Sequence, residues 1–334
     1  MAVRDLDYGL NREHIWRNTP ATPLDEAQQA GFLLAKIPFN KPALSVPDQL
    51  ALLQQRGMLI SDPGKAAQFL TYVGYYRLSG YWFPFQFRDG TANHSNFRPN
   101  TDLDTVLDRY IFDRRLRGIA MDEIERIEVA ARSALSDVMS QRHGPHWYMD
   151  SVHFVPAYHA GFMTLVRRET GLVPFDQHKQ TEFIAHYFRT YDPPLLPPSW
   201  MVMEILSFGA ISKVYKNLVD GEKKSVAAAF GIPRNRLGSW LHAASHLRNL
   251  CAHHSRVWNR EFCVVPSITK VDASHVHHPK KFYNHAVAIQ SLLKIISSET
   301  HWVDRFRELI ADHPNIPIDQ MGFPANWQSN AVWA

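Results

Sequence analysis

The feature that most constrains the fold is a run from Asp102 to about Arg142 in which apolar side chains recur every three or four positions. Leu103, Val106, Leu107, Tyr110 and Ile111 open the series, and Ile124, Ile127, Ala131, Leu135 and Val138 continue it. Residues three and four apart share one face of an α-helix, whereas a half-buried strand alternates every two, so the period predicts one long helix. Gly118 is the point at which it would bend. Its polar side carries Arg114, Arg117, Glu125, Glu128 and Arg132, and the spacing of four lets Glu128 and Arg132 pair along one face.

Around this helix the chain reads as further helices, and the expected fold class is all-α. Residues 1–40 lack sustained periodicity and predict an arm with a short helix around Leu24 to Ala35. Ser45 followed by an early proline, a stop at Gly57 and a restart at Asp62 and Pro63 predict two short helices in a hairpin. The segment YYRLSGYWFPFQFRDG, cut by Gly80 and Pro84, predicts an extended or irregular aromatic element, read as core filler ahead of an RNA-stacking surface. Residues 143–199 read as a loop-rich insertion holding helices at His159–Glu169 and Gln180–Tyr191, the second ended by DPPLLPP. Trp200 to Leu218 predicts an interior helix broken at Gly209. Glu204 lies there among Met201, Val202, Met203, Ile205 and Leu206, so it must face a polar seam or pair with a cation. A short helix over 223–236, ended at Gly231 and Pro233, and one over Tyr283–Ser298 follow, and the tail from Trp302 through PIDQMGFPANW reads as turns. The expected organisation is an N-terminal helical and aromatic region over 1–100 and a helical domain over 101–334.

Composition then excludes several function classes. The chain has 334 residues, 45% of them hydrophobic, enough for a substantial core. It has no run of about 18 apolar residues, and MAVRDLDYGLNREHIW lacks the apolar middle of a secretory signal. The expected location is the cytoplasm, with no membrane partner. Two cysteines, Cys251 and Cys263, argue against a disulfide framework or a Cys-based zinc site. A net charge of +4 with pI near 9.0 does not describe a protein that coats nucleic acid. Eighteen histidines and 12% aromatic residues do supply groups that titrate near neutrality or stack on bases.

The chemistry concentrates in Leu237 to about Arg260, LGSWLHAASHLRNLCAHHSRVWNR, read as one helix. At about 100° per residue, Leu237, Trp240, Leu241, Ala244, Leu247, Leu250, Cys251, His254, Val257 and Trp258 form an apolar stripe. His242, Ser245, His246, Asn249, Ala252, His253, Arg256 and Arg260 take the opposite side, with Arg248 at its edge. A plain surface helix fills such a face with Glu, Lys, Gln and Ala. Imidazoles, an amide and guanidinium groups suit attack of an RNA 2′-hydroxyl on its neighbouring phosphate, a reaction needing a near-neutral proton carrier and a cation for developing charge. His253, Arg248 and Asn249 are the candidate catalytic residues, and His242, His246, Arg256 and Arg260 the candidate substrate-binding ones. Arg248 and His253 lie roughly 140° apart around one axis, so a symmetric dimer that sets two such faces together is the expected solution. No metal or other cofactor is called for: His246, His253, His275, His277 and His278 match no established ligand spacing such as HExxH.

These residues resemble a known family. QLALLQQRGMLISD, GYYRLSGYWFPF, YIFDRRLRGIAMDEIERIEVAARSAL, PPSWMVMEILSFGAISKVYKNL, SWLHAASHLRNLCAHHSRVWNR and MGFPANW, in this order, are similar to the Abi-like family of bacterial abortive-infection proteins, of the AbiD and AbiF type. The C-terminal half of that family resembles the HEPN superfamily of ribonucleases. The superfamily signature, an Arg, a polar residue, three variable positions and a His, falls on Arg248, Asn249 and His253. The resemblance implies a HEPN-type helical bundle, metal-independent RNA cleavage, a site completed by homodimerisation, and shutdown of phage-infected cells under restraint by an RNA or protein antitoxin. Glu125, Glu128 and Glu204 are the candidates for orienting Arg248. RHGPH around Arg142 does not repeat the signature spacing. Two other readings stay open: an RNA-binding sensor that does not cut, and a DNA regulator acting through the N-terminal helix pair.

Overall fold

The computed structural model describes residue 39 and residues 42–91, 93–297 and 300–333, so the helix expected near Leu24 lies outside the described residues. The protein is all-α: among the described residues there are twelve α-helices, making it 64% helical, and no strand. None of these helices is long and apolar enough to cross a membrane. Two compact units divide between Tyr110 and Ile111, within the long helix.

In the first unit, α1 (Val46–Gln55) and α2 (Pro63–Tyr72) pack on each other. Ser45 accepts from the Asp48 amide and Asp62 from the Lys65 amide, satisfying first-turn donors that the helices cannot bond internally. Gly57 ends the first helix at φ +91°. The aromatic segment departs from the extended reading. Tyr75–Trp82 is helix α3, followed by a 3₁₀ turn at Phe83–Phe85, and only an isolated bridge, Gln86 to Phe97, has β character. Tyr75, Leu78, Tyr81 and Trp82 are buried at helical spacing, so burial of that face overrides the β preference of its rings.

The second unit is organised on α4 (Leu103–His143), which begins in the first unit and runs unbroken through Gly118. Next come α5 (His159–Glu169), α6 (Glu182–Thr190), α7 (Ser199–Ile205), α8 (Phe208–Asn217) and α9 (Asp220–Ala228). The last three are α10 (Arg234–Ala252), α11 (Phe282–Ile296) and α12 (Trp302–Asp312). The interior helix expected over Trp200–Leu218 is two helices. The break falls at Leu206 and Ser207, where Ser207 caps α8 by accepting from the Ala210 amide at 3.3 Å, and Gly209 sits inside the first turn. The short helix expected over 223–236 and ended at Gly231 and Pro233 is α9, which stops at Ala228; Gly231 at φ +62° and Pro233 separate it from α10. In the tail, α12 replaces the expected turns: Trp302, Val303, Phe306 and Leu309 are buried on one face.

Three devices fix α10, the helix of interest. Gly238 admits the Tyr215 ring of α8, whose Cε1 would lie 3.3 Å from an added Cβ. The Tyr215 hydroxyl donates to the carbonyls of Lys223 and Arg234 at 3.2 and 3.0 Å, tying α8 to α9 and to the start of α10. On another side, Trp240 Nε1 donates to the Ser267 carbonyl at 2.8 Å and the Ser267 amide to Ser239 Oγ at 2.8 Å.

Helix α11 is buried on nearly every side, which makes its polar residues costly unless satisfied. Asn284 donates to the carbonyls of Pro266 and Pro279, each at 3.0 Å. The ring of His285, 1% exposed, sits 3.0 Å by Nε2 from the Val264 carbonyl. Burial pushes its pKa down to about 4, so the folded protein holds it neutral while the unfolded chain protonates it near 6.5. The stability this provides is fully present above about pH 6.5 and is lost as pH falls toward 4, up to about 3 kcal/mol. Urea unfolding of the wild type and His285→Gln at pH 7 and pH 4.5 checks this, and the variant is expected to lose less stability across the interval.

Candidate functional site

Helix α10 ends at Ala252, not near Arg260, and this changes which side chains meet. His253 is the C-cap, at φ −85° and ψ 11°, and is exposed. His254 takes the left-handed conformation, φ +55°, and turns the chain away. The expectation that His254 joins the apolar stripe is therefore overturned: it is exposed, while Val257 and Trp258 are buried from a loop. Ser245, expected on the polar face, is buried and donates to the His242 carbonyl at 2.9 Å.

A carboxylate in α4 holds that loop. Asp113, fully buried, accepts from the Val257 amide at 3.0 Å and the Trp258 amide at 2.6 Å through Oδ1, and its Oδ2 pairs with Arg117 one turn along. These bonds draw the chain out of the helical path directly after His253. In the same region the Cys251 thiol, buried and next to the Asp113 charge, is pushed up to about 12, so it stays a protonated, inert core group.

The polar face of α10 opens on a groove of about 870 Å³, within the size range of ligand sites. Its walls include Glu128 and Arg132 of α4, Tyr158 and Phe162, Arg168 and Glu169 of α5, and Lys213 of α8, together with His242, His246, Arg248 and Asn249. Four cationic side chains, Arg132, Arg168, Lys213 and Arg248, stand against two carboxylates, Glu128 and Glu169, which favours an anionic ligand.

Glu128 organises the end of the groove nearest the signature. Its Oε1 pairs with Arg132, as the spacing of four predicts, and its Oε2 lies 3.6 Å from Arg248 Nε. Arg132 is buried and also donates to the backbone carbonyl of Met203, with Glu204 O at 3.4 Å. Arg132 thus anchors Glu128 to α7, and Glu128 aims Arg248, leaving its side chain about one-third exposed to the groove. Glu204 supports this set only through its carbonyl. Its carboxylate is exposed, rather than set in a polar seam or against a buried cation as expected. Glu125 is also exposed; it shares a side of α4 with Glu128, three residues on, but does not line the groove.

Both histidines of the groove are held below the usual imidazole range. For His242, loss of solvent is the larger cause, then the charges of Lys216 and Lys213. For His246, burial leads, followed by Arg260 and His242, and its Nε2 lies 3.7 Å from Cys263 Sγ. Both are therefore neutral at pH 7, able to accept or donate one hydrogen bond from each ring. His253, Arg256 and Arg260 do not line the groove. Within one chain, then, Arg248, Asn249, His242, His246 and Glu128 come together, and His253 stands exposed beyond them at the helix end. The sequence reading missed Asp113, Arg168 and Lys213, which carry no local motif and matter only through long-range contacts.

A family model described as Abi-like protein matches residues 68–259, more than half of the chain, from α2 to just beyond the RNLCAH stretch. A search of curated proteins and a search of solved structures gave no match. The chain belongs to the Abi-like protein family, which suggests a role in abortive infection.

Proposed function

We propose that the protein is an endoribonuclease of the HEPN type, acting in abortive infection as a homodimer that cuts RNA without a metal ion in the chemical step. The observation that carries this reading is the arrangement at the end of α10: Arg248 is held against Glu128 on a cationic groove, and His253 is presented to solvent at the C-cap. A neutral imidazole takes the proton of the RNA 2′-hydroxyl as that oxygen bonds to phosphorus. The bond from phosphorus to the 5′-oxygen breaks, and a protonated imidazole delivers a proton to the departing oxygen. Two copies of His253, one from each subunit, supply the two protonation states. Arg248 pairs with the phosphate oxygens, where a guanidinium matches charge and geometry. Asn249, Lys213, His242 and His246 hold neighbouring parts of the strand.

A second subunit is required because Arg248 faces the groove of its own chain while His253 lies outside it. An antitoxin, RNA or protein, would silence the enzyme by covering this cationic face, and the cytoplasm is where its substrate lies. The affinity to the AbiD and AbiF type rests on the segments quoted above.

The test uses purified full-length protein and a labelled RNA in buffer without added divalent ions. Expected products carry a 2′,3′-cyclic phosphate and a 5′-hydroxyl, and a strand with 2′-deoxyribose throughout is inert. Stoichiometric, salt-sensitive RNA binding with no turnover would instead establish the second reading, a sensor that holds RNA without cutting it. That reading draws on the exclusion of His253 from the groove of its own chain.

A further inference from the structure

A second cluster of chemical groups lies at the other end of α4. His143 is the last residue of that helix, where Gly144 at φ +86° turns the chain. His153 ends a short 3₁₀ turn, Ser151–His153, and Glu222 lies in the first turn of α9. The candidate ligand atoms of these three side chains all lie within 4.8 Å of one another. His143 Nε2 is 3.0 Å from Glu222 Oε1, and the two imidazole rings face each other with centroids 4.0 Å apart.

His153 is the informative member. Its residue is only 9% exposed, and among the described residues no group hydrogen-bonds either ring nitrogen. Both nitrogens are therefore available to a ligand. Zinc bonds of about 2.0–2.2 Å in a tetrahedron set donor atoms about 3.3 Å apart, so small side-chain rotations close this set. Arg142 Nε holds the other oxygen of Glu222 at 3.1 Å, which fixes the carboxylate and leaves Oε1 facing the imidazoles, as partners beyond the ligands commonly do at metal sites.

We propose that His143, His153 and Glu222 form a zinc site, three protein donors with a fourth position for water, that clamps the segment following α4 onto α9. The backbone already brings the same parts together. The Val219 amide donates to the His153 carbonyl at 2.9 Å, and the Val155 amide to the Asn217 carbonyl at 2.9 Å. From this point an aromatic chain leads to the groove: Trp147 stacks on Phe154, Phe154 contacts Phe162, and Phe162 stacks on Tyr158. Phe162 and Tyr158 line the groove, so a clamped segment gives that wall a fixed base. The site stands whether or not the groove cuts RNA.

The experiment takes the full-length protein, strips it with a chelator and titrates it with zinc chloride by calorimetry. His153→Phe, which keeps a ring against His143 but offers no donor, and Glu222→Gln are compared, with circular dichroism as the check on folding. The wild type is expected to bind one zinc per chain and to unfold at a higher temperature with it. Each variant is expected to bind at least about 100-fold more weakly and to lose the thermal response. Absence of stoichiometric zinc binding, or variants that bind as the wild type does, overturns the site; such binding would belong to the solvated histidines elsewhere. Should His153→Phe fail to fold, Glu222→Gln decides the question alone.

Discussion

Alanine at Arg248 or at His253 is expected to slow RNA cleavage by about a hundredfold to ten-thousandfold, the range for losing a proton-transferring group or a charge-stabilising donor. Neither change should unfold the chain. Arg248 is about one-third exposed at the groove wall, and His253 is exposed at the helix end, so truncation removes little buried apolar surface. Initial rates on a defined RNA, with unfolding curves alongside, give the measurement. His254→Asn is the control: that residue is exposed at φ +55°, a conformation Asn tolerates, and the variant should cut at the wild-type rate. Mixing the two alanine variants tests the shared site, because a heterodimer recovers one Arg248 and one His253 from opposite subunits. With one of the two imidazoles restored, it should cut faster than His253→Ala and slower than the wild type. A mixture no faster than His253→Ala would place all of the chemistry within one chain. Loss of expression toxicity with both variants is the corresponding cellular result, and variants as toxic as the wild type would separate the biological effect from this site.

Much of this was legible in the residues themselves, and what was not has a physical cause. The long helix announced itself by period, and the caps at Ser45 and Asp62 by side chains that bond their own first turn. The pairing of Glu128 with Arg132 is local, so a spacing of four sufficed to expect it. The polar face of α10 was equally readable up to Asn249 apart from Ser245, which is buried, because the other apolar and polar positions separate there. Beyond Ala252 the reading failed: HHSRVWNR keeps a helix-like pattern, but the acceptor that ends the helix, Asp113, lies far away in the chain. Helix α3 was obscured by composition, since a segment rich in Tyr, Trp and Phe suggests a strand until burial decides otherwise. Helix α12 was hidden by the Pro and Gly residues that follow it, although Trp302, Phe306 and Leu309 carry the right spacing. The cluster of His143, His153 and Glu222 could not be found by motif, because its members come from a helix end, a 3₁₀ turn and a separate helix.

The largest loss of stability from a single polar change is expected at Asp113. One carboxylate here does two things. It neutralises Arg117, itself 6% exposed, and it accepts both backbone amides that follow the signature helix. Asp113→Ala removes the charge partner from a buried guanidinium and leaves the Val257 and Trp258 amides without that acceptor. Breaking a buried pair in this way costs about 3–5 kcal/mol, and the two amides add to it. Asp113→Asn should cost less, because the amide oxygen still accepts the backbone bonds while its NH₂ faces Arg117. Urea unfolding of both variants measures the order. The same variants separate folding from function, since the carboxylate is fully buried and also fixes where α10 stops. At a temperature where Asp113→Ala remains folded, its cleavage rate should fall, because a helix free to extend past Ala252 carries His253 around its axis and away from the paired subunit. A folded Asp113→Ala protein with an unchanged rate would mean that the position of the helix end does not set the position of the imidazole.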